Sequence, residues 1–170
     1  MAIIKPNNNT ISAITALPAA IPTGKVLQVV QGISTTMLSS SSTSYVDIGL
    51  SANITPTSTS NKIFITVSLA NNNYRNSNVA VYVGCNLLRD TTQIHEKEYI
   101  SGLQAGTGST GWSEIYNSIS MGYLDSPSSS SQLTYKVQGK INSSASSGTM
   151  RFQQNSSAST ITLMEIASWL

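Results

Sequence analysis

The sequence predicts an all-β domain, an antiparallel sandwich or barrel, preceded by an extended arm. Three observations carry this. From Lys25 onward, about eight short runs rich in Val, Ile, Leu, Thr and Tyr are separated at even spacing by clusters of Ser, Thr, Asn and Gly. No stretch sustains a helical apolar period. Residues 1–24 follow neither pattern: Pro6, Pro18 and Pro22 interrupt them, and proline disfavours both a long helix and a central strand.

The arm, MAIIKPNNNTISAITALPAAIPTG, carries Ile3, Ile4, Ile11, Ile14, Leu17 and Ile21 without a clean period. Water is a poor solvent for such a segment, so the expectation is a strap lying on another subunit. The domain proper spans 25–170. Its first run is KVLQVVQGIST. The second is SYVDIGLSANITP, with Val46, Ile48 and Leu50 on one face, and the SSSSTS between them reads as a hairpin loop. NKIFITVSLA alternates Ile63, Ile65, Val67 and Leu69 against Phe64, Thr66 and Ser68. NSNVAVYVGCNLLRD alternates Val79, Val81 and Val83 against Ala80 and Tyr82, and NNNYRNSN reads as the turn between these two runs. GWSEIYNSISMGYLDSP sets Trp112, Glu114, Tyr116 and Ser118 opposite Ile115, Asn117 and Ile119. SQLTYKVQGKINSS sets Leu133, Tyr135 and Val137 opposite Thr134, Lys136 and Gln138, and GTMRFQQNSS is shorter and weaker.

The chain closes on STITLMEIASWL, apolar to its last residue. Thr160, Thr162, Met164 and Ile166 share one face of this run; Ile161, Leu163, Glu165 and Ala167 share the other. Both faces are partly apolar, as expected where one meets the core and the other a neighbouring subunit. Met164, Ile166, Trp169 and Leu170 are therefore candidate subunit-interface residues. Evenly spaced short strands leave two strand orders open, jelly-roll and immunoglobulin-like.

Composition narrows the function classes. Charged residues are 9% of the chain, against roughly 25% in ordinary globular proteins, and Ser, Thr and Asn supply the polar surface instead. Such a surface repels neighbours weakly, which suits a member of an assembly. The net charge is +2 and no Lys/Arg cluster exists, so no nucleic-acid partner is expected. No run approaches the ~20 apolar residues of a membrane span. The N-terminus lacks the basic n-region of a signal peptide, and KPNNNT breaks its apolar run, so no signal is expected. The single cysteine, Cys85, excludes an intrachain disulfide and reads as a buried inert thiol.

Catalytic chemistry has little to build on. His95 is the one histidine, set in QIHEKEY, and reads as part of a charged surface patch rather than as a catalytic base. One His and one distant Cys do not make a metal site, and no cofactor motif is present. The glycine-rich loop GLQAGTGSTGW has no strand-then-helix context and is not a phosphate cradle. Seven acids, Asp47, Asp90, Asp125, Glu96, Glu98, Glu114 and Glu165, do not define a catalytic pair. The expectation is therefore no catalytic residue, no metal and no cofactor. Glu165 stands among aliphatics, with Lys136 and Arg151 as conceivable partners; solvent exposure of its face is the expectation. Tyr74, Tyr82, Trp112, Tyr116 and Tyr123 read mainly as core and rim. Tyr74, Trp112 and Tyr116 are the candidate receptor or glycan contacts under a second reading. The Asn-x-Ser/Thr triplets at Asn8, Asn53, Asn142 and Asn155 are what this composition produces by chance.

In the order SYVDIGLSANITPTSTSNKIFITVSLA, LLRDTTQI, GYLDSPSSSSQLTYKVQ and STITLMEIA, covering most of residues 26–167, the chain resembles a group of tailed-bacteriophage virion proteins common in phages of aquatic bacteria and cyanobacteria. The resemblance implies an antiparallel fold of jelly-roll type, commonly trimeric, and assigns no catalytic residues. The expected function is that of a capsid decoration, or cement, protein: a homotrimer whose arm (Ile3, Ile4, Ile11, Ile14, Leu17, Ile21) clamps the major capsid protein at the virion surface. The alternative is a tail-fibre or head-fibre module that binds a host receptor or glycan.

Overall fold

The alternating runs become strands because one face of each is aliphatic and the other is mostly Ser, Thr or Asn, so pairing into sheets buries one face and hydrates the other. A computed structural model describes residues 25–104, 111–142 and 148–168. Within them lie β1 (Val26–Ser34), β2 (Leu38–Ser40), β3 (Val46–Ile54), β4 (Lys62–Arg75), β5 (Val81–Arg89), β6 (Thr92–Leu103), β7 (Ser113–Asp125), β8 (Leu133–Ile141), β9 (Gly148–Phe152) and β10 (Ser159–Ile166), with a 3-10 turn at Gln154–Ser156. Every pairing is antiparallel. The chain is an all-β, antiparallel sandwich of two sheets.

Strand β4 organises the larger sheet. β7 pairs along its whole length, while β10 and β9 take successive halves of its other edge, and β1 and β2 extend those two strands. The smaller sheet runs β3-β8-β5-β6. With the short β2 set aside and β9 and β10 counted as one interrupted strand, the order is first–eighth–third–sixth over second–seventh–fourth–fifth. That is jelly-roll order, and the immunoglobulin-like alternative falls away.

The topology corrects two connections. SSSSTS is not a hairpin loop: β1 pairs with β10 and β3 with β8, so this segment crosses between sheets and contributes part of β2. NNNYRNSN is not a turn over its full length either, because Asn71–Arg75 are the last residues of β4 and pair with both β7 and β9. Two partner strands satisfy the backbone there, and this outweighs the turn preference of Asn.

The core fills from both inner faces. Ile63, Ile65, Val67 and Leu69 of β4, with Met150, Phe152, Ile161 and Leu163, meet Ile48, Leu50, Val83, Tyr135 and Val137 of the smaller sheet, all buried. Cys85 belongs to this core, and burial pushes its thiol up to about 12, as an inert thiol requires. Two glycines allow the layers to close. A Cβ on Gly32 would lie 2.0 Å from the Ser51 carbonyl oxygen, so β1 can approach β3 only as glycine. A Cβ on Gly139 would lie 2.8 Å from the Phe152 ring.

One end of the sandwich is closed by two buried carboxylates. Asp125 accepts from the Tyr135 hydroxyl (2.6 Å) and from Arg89 through both oxygens (2.9 Å each), joining the two sheets. Glu165 is fully buried, which corrects the expectation of an exposed face. Its partners are neutral donors, neither Lys136 nor Arg151: Gln28 Nε2 (2.6 Å), Asn61 Nδ2 (2.6 Å), and the Thr57 N–H (2.7 Å) and hydroxyl (2.8 Å). Burial pushes this carboxyl up, but the bonds from Gln28, Asn61 and Thr57 together outweigh burial and hold it below its ordinary value. Glu165 thus pins the β3–β4 connection onto β1 and β10.

Candidate functional site: the outer face of the larger sheet

The two outer faces differ in kind. On the smaller sheet the charges neutralise one another locally: Lys136 meets Asp47 at 3.0 Å, and Lys140 sits between Glu96 and Glu98. Such a face is well solvated and self-contained. The outer face of the larger sheet has few charges, and its two ends carry unlike features.

At the end where β1 begins and β10 finishes, one cross-strand row is apolar on all four strands. Val29 stands opposite Met164, Met164 opposite Phe64, and Phe64 opposite Leu124. Val29 is 58% exposed, Leu124 49% and Phe64 37%; Val26 and Leu27 extend the patch, and Ile166 lies one row further along. Both ends of the described domain meet here, since the Ala167 N–H donates to the Lys25 carbonyl (2.9 Å). An exposed apolar row across four strands is a candidate interaction surface. Of the interface candidates, Met164 and Ile166 lie in this patch. Trp169, Leu170 and the arm residues Ile3, Ile4, Ile11, Ile14, Leu17 and Ile21 lie outside the described residues. Val29, Phe64 and Leu124 were missed by sequence reasoning, which saw Phe64 only as the face opposite Ile63 and had no register to align it with the other three.

At the other end two of the aromatic candidates, Tyr74 and Tyr116, share the same outer face. Tyr116 and Glu114 lie on β7, Tyr74 on β4 opposite Glu114, and Trp112 just ahead of β7 is 72% exposed. The Arg151 guanidinium lies 4.4 Å from the Tyr74 ring centre and pairs with Glu114 Oε1 at 2.6 Å, while Tyr116 donates to Glu114 Oε2 at 2.9 Å. That hydrogen bond, with the carboxylate beside it, raises the Tyr116 hydroxyl above its ordinary value.

Beside this cluster is a pocket of about 300 Å³, lined by Ser68 and Asn72 of β4, Tyr116 and Ser118 of β7, and Gln154 and Ser157 of the β9–β10 connection, among others. The connecting wall is conformationally demanding. Gln153, Asn155 and Ser156 all have left-handed backbones (φ 55, 54 and 60°), which non-glycine residues adopt at a cost. It is pinned in place by the Gln153 N–H on the Ala70 carbonyl (3.1 Å) and by the Ala70 N–H on Ser159 Oγ (3.0 Å). Asn72, 1% exposed, donates to the Ile115 carbonyl (3.4 Å), but its Oδ1 has no partner among the described residues, nor has Gln154 Oε1.

No family model and no curated protein matches this sequence. Among solved structures it is similar to that of the infectious bursal disease virus Gx strain, at 13% identity and a TM-score of 0.38 over 85% of this chain and 39% of that one. The VP2 subviral particle of the same virus aligns at 13% identity, a TM-score of 0.34, and 82% and 39% coverage. The Gt strain aligns at 12%, 0.38, and 84% and 38%. The chain thus spans well under half the length of these matched chains.

His95 stacks on Tyr123 with ring centres 5.2 Å apart, so it is half-buried packing rather than part of a charged surface patch. Among the described residues no group of three or more His, Cys, Asp or Glu is placed to hold a metal ion.

Proposed function

We propose that this chain is a structural protein of a virus particle, a capsid decoration protein that trimerises and clamps neighbouring major capsid proteins through its N-terminal arm. The observation that carries the reading is the apolar row Val29–Met164–Phe64–Leu124. It is exposed on a sheet face with few charges, at the end where the arm joins the domain. A face that neither repels a neighbour nor satisfies itself gains by burial, at about 25 cal/mol per Å² of apolar surface. The sequence resemblance to phage virion proteins, the jelly-roll strand order and the low charge content support the same reading. The arm adds six aliphatic anchors per subunit, and three arms on a trimer act with avidity. The role is associative, with no catalytic step.

The test is removal of residues 1–24. The truncated chain should remain a folded trimer by analytical ultracentrifugation and lose co-sedimentation with capsids lacking the protein. Wild-type occupancy without the arm would overturn the clamp.

A further inference from the structure

We propose that the pocket between Tyr116 and the β9–β10 connection binds the terminal residue of a neutral glycan. Four observations point to that ligand. At about 300 Å³ the pocket is at the small end of ligand sites, the scale of a single ring rather than of a peptide side. Its lining contains no charged residue. Its polar groups are hydroxyls and amides, uncharged throughout.

Sugar hydroxyls both donate and accept. They can therefore serve the Ser68, Ser118 and Ser157 hydroxyls together. The fourth observation is Tyr116, 61% exposed at the pocket edge, whose ring offers a flat apolar wall to the C–H face of a pyranose. Its hydroxyl is held by Glu114, and Glu114 is itself neutralised by Arg151, so the nearest charges are already paired and none is left to select an anionic sugar. The doubly pinned β9–β10 connection gives the site a preformed wall, which lowers the cost of ordering on binding. This site is separate from the apolar row and stands whether or not the arm clamps a capsid.

The experiment uses the full chain on an array of neutral, sialylated and sulfated oligosaccharides, followed by titration calorimetry with the best neutral probe at low and high salt. Binding to neutral glycans with little salt dependence is expected. Tyr116→Ala should weaken it about tenfold. Ala158→Trp, which fills the pocket from an exposed position, should abolish it, while Phe64→Ser on the apolar row should leave it unchanged. Far-UV spectra and melting curves establish that each variant is folded. No neutral binding at millimolar probe, binding confined to charged glycans, or wild-type affinity in both folded pocket variants would overturn the proposal.

Discussion

The two halves of β4 are built to opposite rules. In the first half the inward residues are Ile63, Ile65, Val67 and Leu69, all buried in the aliphatic core, and Phe64 stands on the exposed apolar row outside. In the second half the inward residues are Asn71, Asn73 and Arg75, equally buried. Asn73 Nδ2 donates to Ser101 Oγ (2.8 Å), Asn117 Nδ2 to the same oxygen (2.7 Å), and Arg75 to the Val79 and Gln104 carbonyls (3.0 and 2.9 Å). The side-chain oxygens of Asn71, Asn73 and Asn117 have no partner among the described residues. One half of the strand is therefore optimised for burial. The other carries polar groups whose hydrogen-bonding capacity is only partly used, and it underlies the aromatic cluster and the pocket. Stability should reside in the first half and adaptable recognition in the second.

The largest test of that contrast is inside the sheet. Ile65→Ala removes a fully buried side chain and should cost about 2–5 kcal/mol, with the higher values if the cavity stays open. Asn73→Ala loses the bond to Ser101 but also removes an unpaired oxygen, so about 1 kcal/mol is expected. Urea denaturation of the two variants orders them directly; equal losses would erase the distinction between the halves.

Glu165 sharpens the same contrast, because at the stable end even a buried carboxylate is fully engaged. Glu165→Ala should cost about 3 kcal/mol, since donors on Gln28, Asn61 and Thr57 lose their acceptor. The pH dependence follows from the depressed carboxyl. The native state holds the proton less tightly than the unfolded chain, so this contribution is complete above the ordinary value of 4.5 and is lost as pH falls through the lower folded value. Denaturation midpoints measured from pH 6 downward should fall for the wild type, and Glu165→Gln should flatten that fall.

Glu165 also marks where sequence reasoning stops. Period-2 alternation in β3, β4, β8 and β10 predicts which residues face inward, and the structure agrees from Ile63 to Leu69, from Leu133 to Val137 and from Ile161 to Leu163. Alternation also sets Trp112, Glu114 and Tyr116 on one face of their run, which groups two of the three aromatic candidates; Tyr74, on β4, joins them only through the β4–β7 register. It says nothing about partners. The four donors around Glu165 come from two other segments, 28 and 57–61, that no spacing rule connects to residue 165. The row Val29–Met164–Phe64–Leu124 likewise exists only once register across four strands is fixed. The Asn run at 71–73 misled for a related reason: local turn preference lost to pairing with β7 and β9, which are distant in sequence.

A smaller effect is expected at the end that carries the aromatic cluster. Arg151→Ala removes the ion pair with Glu114 and the stack on Tyr74, and partly exposed interactions of both kinds are modest, so about 1 kcal/mol should be lost. The informative readout is Tyr116. With Arg151 gone, Glu114 keeps its charge without a counter-ion, and the Tyr116 hydroxyl should titrate higher still, because Arg151 is the group that opposes its upward shift. Ultraviolet titration of the tyrosines in wild type and Arg151→Ala measures this directly.

The smallest effect on stability is expected on the apolar row, and it is the one that separates folding from assembly. Phe64 is 37% exposed and Leu124 49%, so each forfeits little burial on truncation, and Phe64→Ser or Leu124→Ser should change unfolding free energy by no more than about 0.5–1 kcal/mol. If the row is an interface, the same substitutions remove apolar area from contact between molecules, and association should weaken far more than folding does. Sedimentation across a concentration series reads the first quantity and urea denaturation the second. A variant that loses association while keeping its midpoint assigns the row to assembly. A variant with both unchanged leaves the row as surface and moves the trimer contact to another face of the domain, since removal of residues 1–24 is expected to leave the trimer intact.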